Sequence, residues 1–263
     1  MLHRVNKNIA ESKAFFIDGD GTIYIDNEPI PGATDFLGEL SSREIPFYLL
    51  TNNSSRTPDA YLQKVRSLGI EIEREKVIVS IDPALEYLRQ EGIERICSIA
   101  TDDVNTHIRD NGFEYSEDDP QAILLTYDTE LTYRKLELLT QLLARPIPYL
   151  ATHIDIFCPS QKGNLPDIGA FIEMMDMAVG RTPDLTFGKP SARIIDSALA
   201  AAGLAYEDAV MIGDRLYTDI KMGDLGLTSV LVLTGETDLE EGLSSPIEAD
   251  IICDSIIDLM EIL

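Results

Sequence analysis

Two aspartates, Asp18 and Asp20, directly follow a short apolar run in the segment FFIDGDGTIY, residues 15–24. In an extended strand, residues two apart point to the same side, so the two carboxylates are expected to lie close together. Carboxylates at such a distance repel each other, and the repulsion raises the pKa of one of them. A divalent cation would remove the repulsion. The pair therefore indicates a site for metal-assisted carboxylate chemistry.

Three further groups of polar residues also stand directly after short apolar runs. They are Thr51-Asn52-Asn53-Ser54 after FYLL, Gly188-Lys189-Pro190 after DLTF, and Gly213-Asp214 after VMI, with Asp219 five residues later. In open α/β sheets, ligands bind at the carboxyl ends of the strands. If the four apolar runs are neighbouring strands, all four groups meet at one edge of the sheet.

The carboxylates suggest a division of roles. Asp18 is predicted to be a nucleophile that forms an aspartyl-phosphate, and Asp20 a general acid for the leaving oxygen and later a general base for water. Asp18, Asp214 and a backbone oxygen near Asp20 would form an oxygen-rich site, which suits Mg²⁺.

A phosphorylated substrate would need local positive charge here, because the chain carries a formal net charge of −25. Lys189 could supply that charge, while the Thr51 hydroxyl, the Asn52 side chain and nearby groups, including Asn53, could hold phosphate oxygens. The same acidity disfavours nucleic acid as a partner, because a polyanion is repelled. The acidity also has a simpler explanation, which is a well-solvated surface.

Each motif taken alone has a structural explanation as well. An isolated Asp-x-Asp is common in surface turns, NNSS is a turn sequence, Lys189 could be a surface lysine in a turn, and the aspartates after VMI could cap a helix. An EF-hand loop that starts at Asp18 is excluded, because its sixth position is Ile23 instead of glycine and its twelfth is Pro29 instead of glutamate. The combination of the four groups is what favours catalysis.

Predicted strands and helices alternate along the chain, which indicates a parallel sheet covered on both faces and an α/β fold. Residues from about 80 to 183 form a second alternating unit. The predicted division is a core of residues 1–80 and 184–263 and an inserted domain of residues 81–183. The alternative is one continuous large sheet.

Length and composition support a cytoplasmic protein. The 263 residues, 44% of them hydrophobic, suffice for one large or two modest domains. No apolar run approaches the ~20 residues of a membrane helix, and the first residues lack a signal-peptide pattern. Cys97, Cys158 and Cys253 stand far apart and form no metal-binding pair.

The four groups and their order resemble the motifs of the haloacid dehalogenase-like (HAD) superfamily of phosphatases. FFIDGDGTIY matches the first motif, LLTNNSS the second, Lys189 in FGKP the third and MIGDRLYTD the fourth. PIPGA, GRTPDLTFGKP and LVLTGET are similar to the NagD-like branch, which includes 4-nitrophenyl phosphatases. The resemblance implies a Rossmann-like doubly wound parallel-sheet core with an α/β cap of the C2 type inserted after the second motif.

The resemblance also implies a Mg²⁺-dependent phosphatase that acts through an aspartyl-phosphate on a small phosphorylated metabolite. The matching residues take the roles given above, with the Asp20 carbonyl as a metal ligand. Asp219 matches the last acidic position of the fourth motif and joins the metal site; its alternative is a helix-surface aspartate. A homodimer formed through the cap is implied by the resemblance alone.

The chain departs from the family at two places. Gly19 stands where a larger apolar residue is usual. In the segment ATHIDIFCPSQKGNLPDIGAF, which resembles the cap loop that faces the substrate, His153-Ile154-Asp155 stands where many members have Asn-Pro-Asp. His153 and Asp155 are candidate substrate contacts, with packing as the alternative for His153. The natural substrate therefore stays open among nucleotides, sugar phosphates, phosphoglycolate, pyridoxal phosphate and aryl phosphates.

Several related activities share part of this pattern. A haloacid dehalogenase would not need Asp20, a phosphomutase usually has a helical cap placed earlier, and a P-type ATPase would need membrane helices. A receiver domain is much shorter and lacks the inserted unit. A non-catalytic sensor of phosphorylated metabolites on the same fold is a further alternative, against which the acid/base residue Asp20 argues.

Overall fold

The chain forms two compact units. The computed structural model describes residues 1–158 and 163–263. The first unit comprises Met1–Thr51, Tyr61–Ile78 and Ile195–Leu263, and the second comprises Asn52–Ala60 and Val79–Ile194. The longer segment of the second unit is therefore inserted between two segments of the first. Among the helices of the described residues, none has the length and apolar character that a bilayer span requires.

Strands and helices alternate through most of the chain. The strands of the described ranges are β1 (Leu2–Val5), β2 (Ala14–Asp18), β3 (Tyr24–Ile25), β4 (Glu28–Pro29), β5 (Phe47–Thr51), β6 (Val77–Val79), β7 (Arg95–Ile99), β8 (Glu114–Tyr115), β9 (Ala122–Leu125), β10 (Tyr149–Ala151), β11 (Phe157–Cys158), β12 (Leu165–Pro166), β13 (Leu185–Thr186), β14 (Ala209–Gly213), β15 (Thr228–Val232) and β16 (Ile251–Cys253). The α-helices of the same ranges are α1 (Ala33–Ser42), α2 (Pro58–Ser67), α3 (Ile81–Gln90), α4 (Asp102–Asp110), α5 (Tyr133–Leu143), α6 (Ile168–Val179), α7 (Arg193–Ala202) and α8 (Leu239–Ser244). Short 3₁₀ helices lie at Arg74–Lys76, Tyr206–Asp208, Ile220–Leu225 and Ile256–Glu261.

The larger sheet has seven strands in the order β1-β16-β15-β14-β2-β5-β6. The pairs β16–β15, β15–β14, β14–β2 and β2–β5 are parallel. Every residue of β2, β14 and β15 is buried, as expected of parallel strands that are covered on both faces. Phe15 in β2 lies opposite Val210 on one side and Phe47 on the other. This register brings the carboxyl ends of three strands side by side.

The edge strand β1 was not predicted. It pairs with β16 in antiparallel direction. Its residues, LHRV, alternate between half-buried and exposed. A strand of this kind carries no apolar run, because only one of its faces packs against the protein.

The second unit contains a five-stranded sheet in the order β13-β10-β9-β7-β8, in which all pairs are parallel. Side chains of this sheet and of α5 and α6 form one apolar core. Its fully buried members include Cys97, Ile123, Leu139, Leu142, Tyr149, Ala151 and Ile168. The high apolar content of these short strands follows from burial of both faces.

Polar residues fix the ends of the helices in this unit. The Thr132 hydroxyl accepts a hydrogen bond from the Lys135 N–H at the start of α5, at 3.3 Å. The Asp167 carboxylate does the same for the Ile168 N–H at the start of α6, at 2.6 Å. Gly180 ends α6 in the left-handed conformation. Capping of this kind satisfies N–H groups that have no partner within the helix.

The α/β fold class with a parallel-sheet core and an inserted α/β unit is confirmed, and the alternative of one continuous sheet is wrong. The condition that the four apolar runs with terminal polar groups are neighbouring strands holds for β14, β2 and β5. It does not hold for β13, which pairs with β10 in the other sheet. A strand of two residues carries no pattern that assigns it to one sheet. The boundaries at 80/81 and 183/184 stay a prediction.

Candidate active site

Asp18 is the last residue of β2 and ends a fully buried strand. It lies opposite Leu50 of β5, and its exposure is 9%. A carboxylate is tolerated at this position because β2 ends here. Ligands bind at the carboxyl ends of the strands of such a sheet. Thr51, one residue beyond Leu50, ends β5 and is also buried, with an exposure of 8%.

Three buried carboxylates of the first unit converge. Asp214 directly follows β14, and Asp219 lies at the start of the 3₁₀ helix Ile220–Leu225. Asp18, Asp214 and Asp219 each place a carboxylate oxygen within 4.8 Å of the other two. The predicted juxtaposition of the carboxylates follows from the adjacency of β2 and β14 in the sheet.

The environment of Asp214 is poorly compatible with a bare negative charge. Burial raises the pKa of Asp214 well above its ordinary value, and the charges of Asp18 and Asp219 raise it further. Its Oδ2 accepts a hydrogen bond from the Glu236 N–H at 2.7 Å, whereas its buried Oδ1 has no hydrogen-bond partner among the described residues. A hard divalent cation would use this oxygen and remove the repulsion, so the three carboxylates fit such an ion.

Asp20 has a different environment from Asp18. Its side chain is 44% exposed, and its Oδ1 lies 3.4 Å from the Lys64 Nζ of α2. The same ammonium lies 3.8 Å from the centre of the Tyr24 ring. Desolvation raises the pKa of Asp20, and the Lys64 charge and the Tyr24 hydroxyl oppose the rise. Asp20 is thus a partly accessible carboxylate with a defined partner, which is the environment that a proton carrier needs.

Lys64 and Tyr24 were missed by sequence reasoning. Lys64 stands 44 residues after Asp20, in a helix whose charged residues are typical of any solvated surface. Tyr24 explains the unusual Gly19: a Cβ at position 19 would lie 2.5 Å from the Tyr24 hydroxyl oxygen. The tyrosine therefore occupies the space that a larger residue at position 19 would need.

In the second unit, one side chain holds both backbone polar groups of Lys189. The Asn52 Oδ1 accepts a hydrogen bond from the Lys189 N–H at 2.8 Å, and its Nδ2 donates to the Lys189 carbonyl at 3.0 Å. Nδ2 also donates to the Asp155 Oδ1 at 3.2 Å. Asn52, Asp155 and Lys189 are all at least nine-tenths buried. The phosphate contact predicted for the Asn52 side chain is disfavoured here, because both N–H groups are used within the protein.

Asn53 has a local role in the same segment. Its Oδ1 accepts hydrogen bonds from the Ser55 N–H at 3.1 Å and from the Ser55 hydroxyl at 2.6 Å. Such bonds stabilise a turn directly after the strand. The predicted phosphate contact of Asn53 stays a prediction.

His153 is fully buried. Its Nδ1 lies 3.1 Å from the Thr152 hydroxyl, and its Nε2 lies 3.1 Å from the Asp167 carboxylate. The Thr152 hydroxyl is in turn 2.7 Å from the Ser54 hydroxyl. Both ring nitrogens are therefore engaged within the protein, which favours the packing alternative over a substrate contact. Residues 159–162 of the predicted cap loop lie outside the described residues.

Gly188 is the position where this packing is tightest. A Cβ at Gly188 would overlap the Asn52 Oδ1 and would lie 2.8 Å from the His153 Cβ and 2.9 Å from the Thr152 carbonyl. Gly188→Ala is expected to lower the free energy of unfolding by about 1–3 kcal/mol, the usual cost of overpacking. Urea unfolding measures the change.

Gly38→Ala is the matched control for this prediction. Gly38 lies in α1, and a Cβ there has no atom within 4 Å. This variant is expected to gain about 0.5–1 kcal/mol from helix propensity. A Gly188→Ala protein as stable as wild type would contradict the close approach of position 188 to Asn52.

Comparisons with known proteins identify the family of the chain. A sequence profile of haloacid dehalogenase-like hydrolases matches residues 15–114, and a profile described as HAD-hydrolase-like matches residues 186–259. An acid sugar phosphatase of Staphylococcus haemolyticus is 30% identical over 232 residues, which are 87% of this chain and 88% of that protein.

Solved structures extend the similarity to the fold. A 4-nitrophenylphosphatase from Thermotoga maritima has a TM-score of 0.92 and 34% identity, covering 95% of this chain and 97% of that chain. A glycerol phosphate phosphatase from Mycobacterium tuberculosis in complex with magnesium has a TM-score of 0.84 and 27% identity, covering 95% of this chain and 77% of that chain. The resemblance drawn from the motifs is confirmed, as is the expectation of an enzyme. This chain is therefore a hydrolase of the haloacid dehalogenase-like family.

Proposed function

We propose that the protein is a Mg²⁺-dependent phosphomonoester hydrolase that acts through an aspartyl-phosphate on Asp18. The observation that carries the proposal is the convergence of Asp18, Asp214 and Asp219, with the separately partnered Asp20 two residues after Asp18. A nucleophilic carboxylate beside a cation site, and a second carboxylate able to carry a proton, are the groups that this reaction requires.

The donor set fits Mg²⁺. Asp18, Asp214 and the Asp20 carbonyl would hold the ion, with Asp219 completing the acidic set around Asp214. The buried Oδ1 of Asp214, which has no hydrogen-bond partner within residues 1–158 and 163–263, and the repulsion among the carboxylates support this assignment. When bound, Mg²⁺ supplies positive charge that offsets the carboxylates and the phosphoryl oxygens. The magnesium complex of the mycobacterial relative gives further support.

The reaction proceeds in two displacements. In the first, a carboxylate oxygen of Asp18 attacks phosphorus, the bond from phosphorus to the ester oxygen breaks, and Asp20 gives its proton to the departing alcohol. In the second, Asp20 takes a proton from water, the water oxygen attacks phosphorus, and the bond to Asp18 breaks. Inorganic phosphate leaves, and Asp20 is again protonated for the next cycle.

The pKa of Asp20 matters to both displacements. Desolvation raises it, so the proton needed in the first displacement is held more readily than by a fully solvated aspartate. Lys64, 3.4 Å away, favours the carboxylate that the second displacement needs. These opposing effects on its pKa allow the Asp20 carboxyl group to donate a proton in the first displacement and to accept one in the second.

Thr51, the backbone near Asn52 and Asn53, and Lys189 are proposed to bind the phosphoryl group. Lys189 supplies the positive charge that a substrate needs in a chain with a net charge of −25. The proposed substrates are small phosphorylated metabolites, with sugar phosphates, glycerol phosphate and aryl phosphates as the first classes to test. These are the substrates named for the relatives. The cap-mediated homodimer stays a prediction.

The first experiment measures phosphate release from 4-nitrophenyl phosphate and from glycerol phosphate with Mg²⁺ and with chelator. Release that depends on Mg²⁺ supports the proposal. A folded protein that binds Mg²⁺ and releases no phosphate from these or from a panel of sugar phosphates would instead identify the sensor alternative.

Asp20→Asn is expected to slow hydrolysis of glycerol phosphate by about 10²–10⁴-fold and that of 4-nitrophenyl phosphate much less. An alcohol needs a proton to leave, whereas nitrophenolate leaves readily without one. The ratio of kcat values on the two substrates measures the effect. Equal losses on both would remove Asp20 from the general-acid role.

A further inference from the structure

The side-chain amide of Asn52 has a single orientation in this structure. Its oxygen faces the Lys189 N–H at 2.8 Å, and its nitrogen faces two acceptors, the Lys189 carbonyl at 3.0 Å and the Asp155 Oδ1 at 3.2 Å. Turning the amide over would set its oxygen against both acceptors and its nitrogen against a donor. The partners therefore determine which atom is which.

This arrangement fixes Lys189 through its backbone. A single buried side chain pairs with both the N–H and the carbonyl of that residue, as a neighbouring β-strand would. Gly188 packs so closely against Asn52 that a Cβ would overlap the amide oxygen. Gly188 and the Asn52 amide together restrict the backbone conformation of Lys189.

The same geometry removes Asn52 from direct contact with phosphate. A phosphate oxygen accepts hydrogen bonds, and both N–H groups of the amide already donate to protein acceptors. The remaining lone pair on Oδ1 would repel a phosphate. An Asn at this position therefore has a use other than substrate binding.

Asp155 contacts the side-chain amide of Asn52. It is buried, with an exposure of 5%, and its carboxylate accepts from the same Nδ2 that donates to Lys189. A charged acceptor strengthens and orients such a bond. Without the Asp155 carboxylate, the Asn52 amide would keep only its hydrogen bonds to the backbone of Lys189, among the described residues. The amide would then have no second point of attachment from which to fix that backbone.

We propose that Asn52 and Asp155 are positioning residues, which set the backbone of Lys189 so that its ammonium group meets the phosphoryl group in the transition state. The inference rests on the proposed function, in which Lys189 neutralises charge. It assigns to the two residues an effect on the chemical step instead of on substrate affinity. It also predicts that this effect does not depend on the leaving group.

The first test is Asn52→Asp, which keeps shape and the acceptor for the Lys189 N–H but turns the donor into a second carboxylate oxygen. It is expected to lower kcat by about 10²-fold, the cost of misplacing a catalytic group by about 1 Å, with KM changed less than about threefold. The factor is expected to be equal on 4-nitrophenyl phosphate and glycerol phosphate. Asn8→Asp is the matched control, because Asn8 is exposed and, within the part of the chain that the structure describes, its side chain is engaged through Oδ1 alone, as acceptor for the Ala10 N–H.

The second test varies the acceptor at position 155. Asp155→Leu is expected to lower kcat by about tenfold on both substrates, and Asp155→Asn by less, because an amide oxygen can still accept from Asn52. The double variant Asn52→Asp/Asp155→Asn is expected to recover about tenfold over Asn52→Asp alone, because the introduced N–H can donate to the introduced carboxylate. If Asn52→Asp does not fold, the two Asp155 variants still decide the matter.

Three outcomes would overturn the inference. A raised KM with unchanged kcat in Asn52→Asp would make Asn52 a direct substrate ligand. Asp155 losses that differ between the two substrates would make Asp155 a substrate contact, and losses that multiply in the double variant would show that the two side chains act separately. In each of these cases the wild-type enzyme is active and the proposed function stands. Wild type that releases no phosphate would overturn both.

Discussion

Asp18→Asn is expected to lower phosphate release from 4-nitrophenyl phosphate by about 10⁴-fold or more, because a carboxamide cannot form the aspartyl-phosphate. The replacement keeps the shape of the side chain at the end of β2, where Asp18 lies opposite Leu50. It also removes one of the charges that raise the pKa of Asp214. The fold should therefore be retained. Initial rates at saturating substrate and Mg²⁺ measure the loss.

Two controls make this result specific. Asp110→Asn removes the same charge at the exposed end of α4 and should keep wild-type activity. Unfolding in chelator shows whether Asp18→Asn folds as wild type does. Acid-quenched wild type should carry a base-labile phosphoryl group that the variant lacks. A variant that keeps more than a tenth of wild-type kcat would show that Asp18 is not the nucleophile.

The carboxylate cluster is the part of the candidate site that sequence reasoning could reach. The runs FFI and VMI predict buried strands, and an aspartate after each of them has to emerge at the end of its strand. Once β2 and β14 are neighbours, Asp18 and Asp214 meet as a consequence. The emergence of each carboxylate at the end of its strand is visible in the residues, whereas the adjacency of β2 and β14 is supplied by the strand order of the sheet.

Contacts that depend on a particular side-chain direction were beyond that reasoning. Lys64 reaches Asp20 from a helix whose sequence looks like a solvated surface. Asn52 pairs with the backbone of a residue 137 positions later. The sequence does not distinguish an asparagine that binds a peptide group from one that binds phosphate, because both use the same side-chain amide.

The position of β13 shows a related limit. DLTF carries the polar group Gly188-Lys189-Pro190 as the other strands carry theirs, yet only Leu185–Thr186 forms the strand, and it pairs with β10. Two residues offer no periodicity, so the choice between sheets is made by tertiary packing. His153 is similar, because only the fold reveals that Thr152 and Asp167 take both of its ring nitrogens.

Asp214→Asn is expected to have opposite effects on activity and on the stability of the metal-free protein. Activity should fall by about 10²-fold or more at fixed Mg²⁺, because a ligand of the ion is lost. Without metal, the variant should melt at a higher temperature than wild type at pH 7. The introduced amide keeps the acceptor for the Glu236 N–H and places a donor at the position of the buried Oδ1, which has no hydrogen-bond partner among the described residues.

The pH dependence of this difference follows from the raised pKa of Asp214 in the folded state. Below the pKa of an aspartate in the unfolded chain, the group is protonated in both states and costs no stability. As the pH rises from that value towards the folded-state pKa, ionisation increasingly favours unfolding, so metal-free wild type loses stability relative to the variant. Melting temperatures of the two proteins in chelator, measured from acid to neutral pH, should therefore diverge as the pH increases.

Mg²⁺ provides the decisive comparison for Asp214. It should raise the melting temperature of wild type with concentration, because it binds the folded state, and should raise that of Asp214→Asn much less. A metal-free variant that melts below wild type at pH 7 would show that the Asp214 carboxylate stabilises the fold without an ion. An equal Mg²⁺ response in both proteins would place the ion elsewhere. We expect the Asp214 carboxylate to destabilise the metal-free protein and to stabilise the Mg²⁺-bound protein. This pattern distinguishes a metal ligand from a structural aspartate, and measuring it needs no substrate.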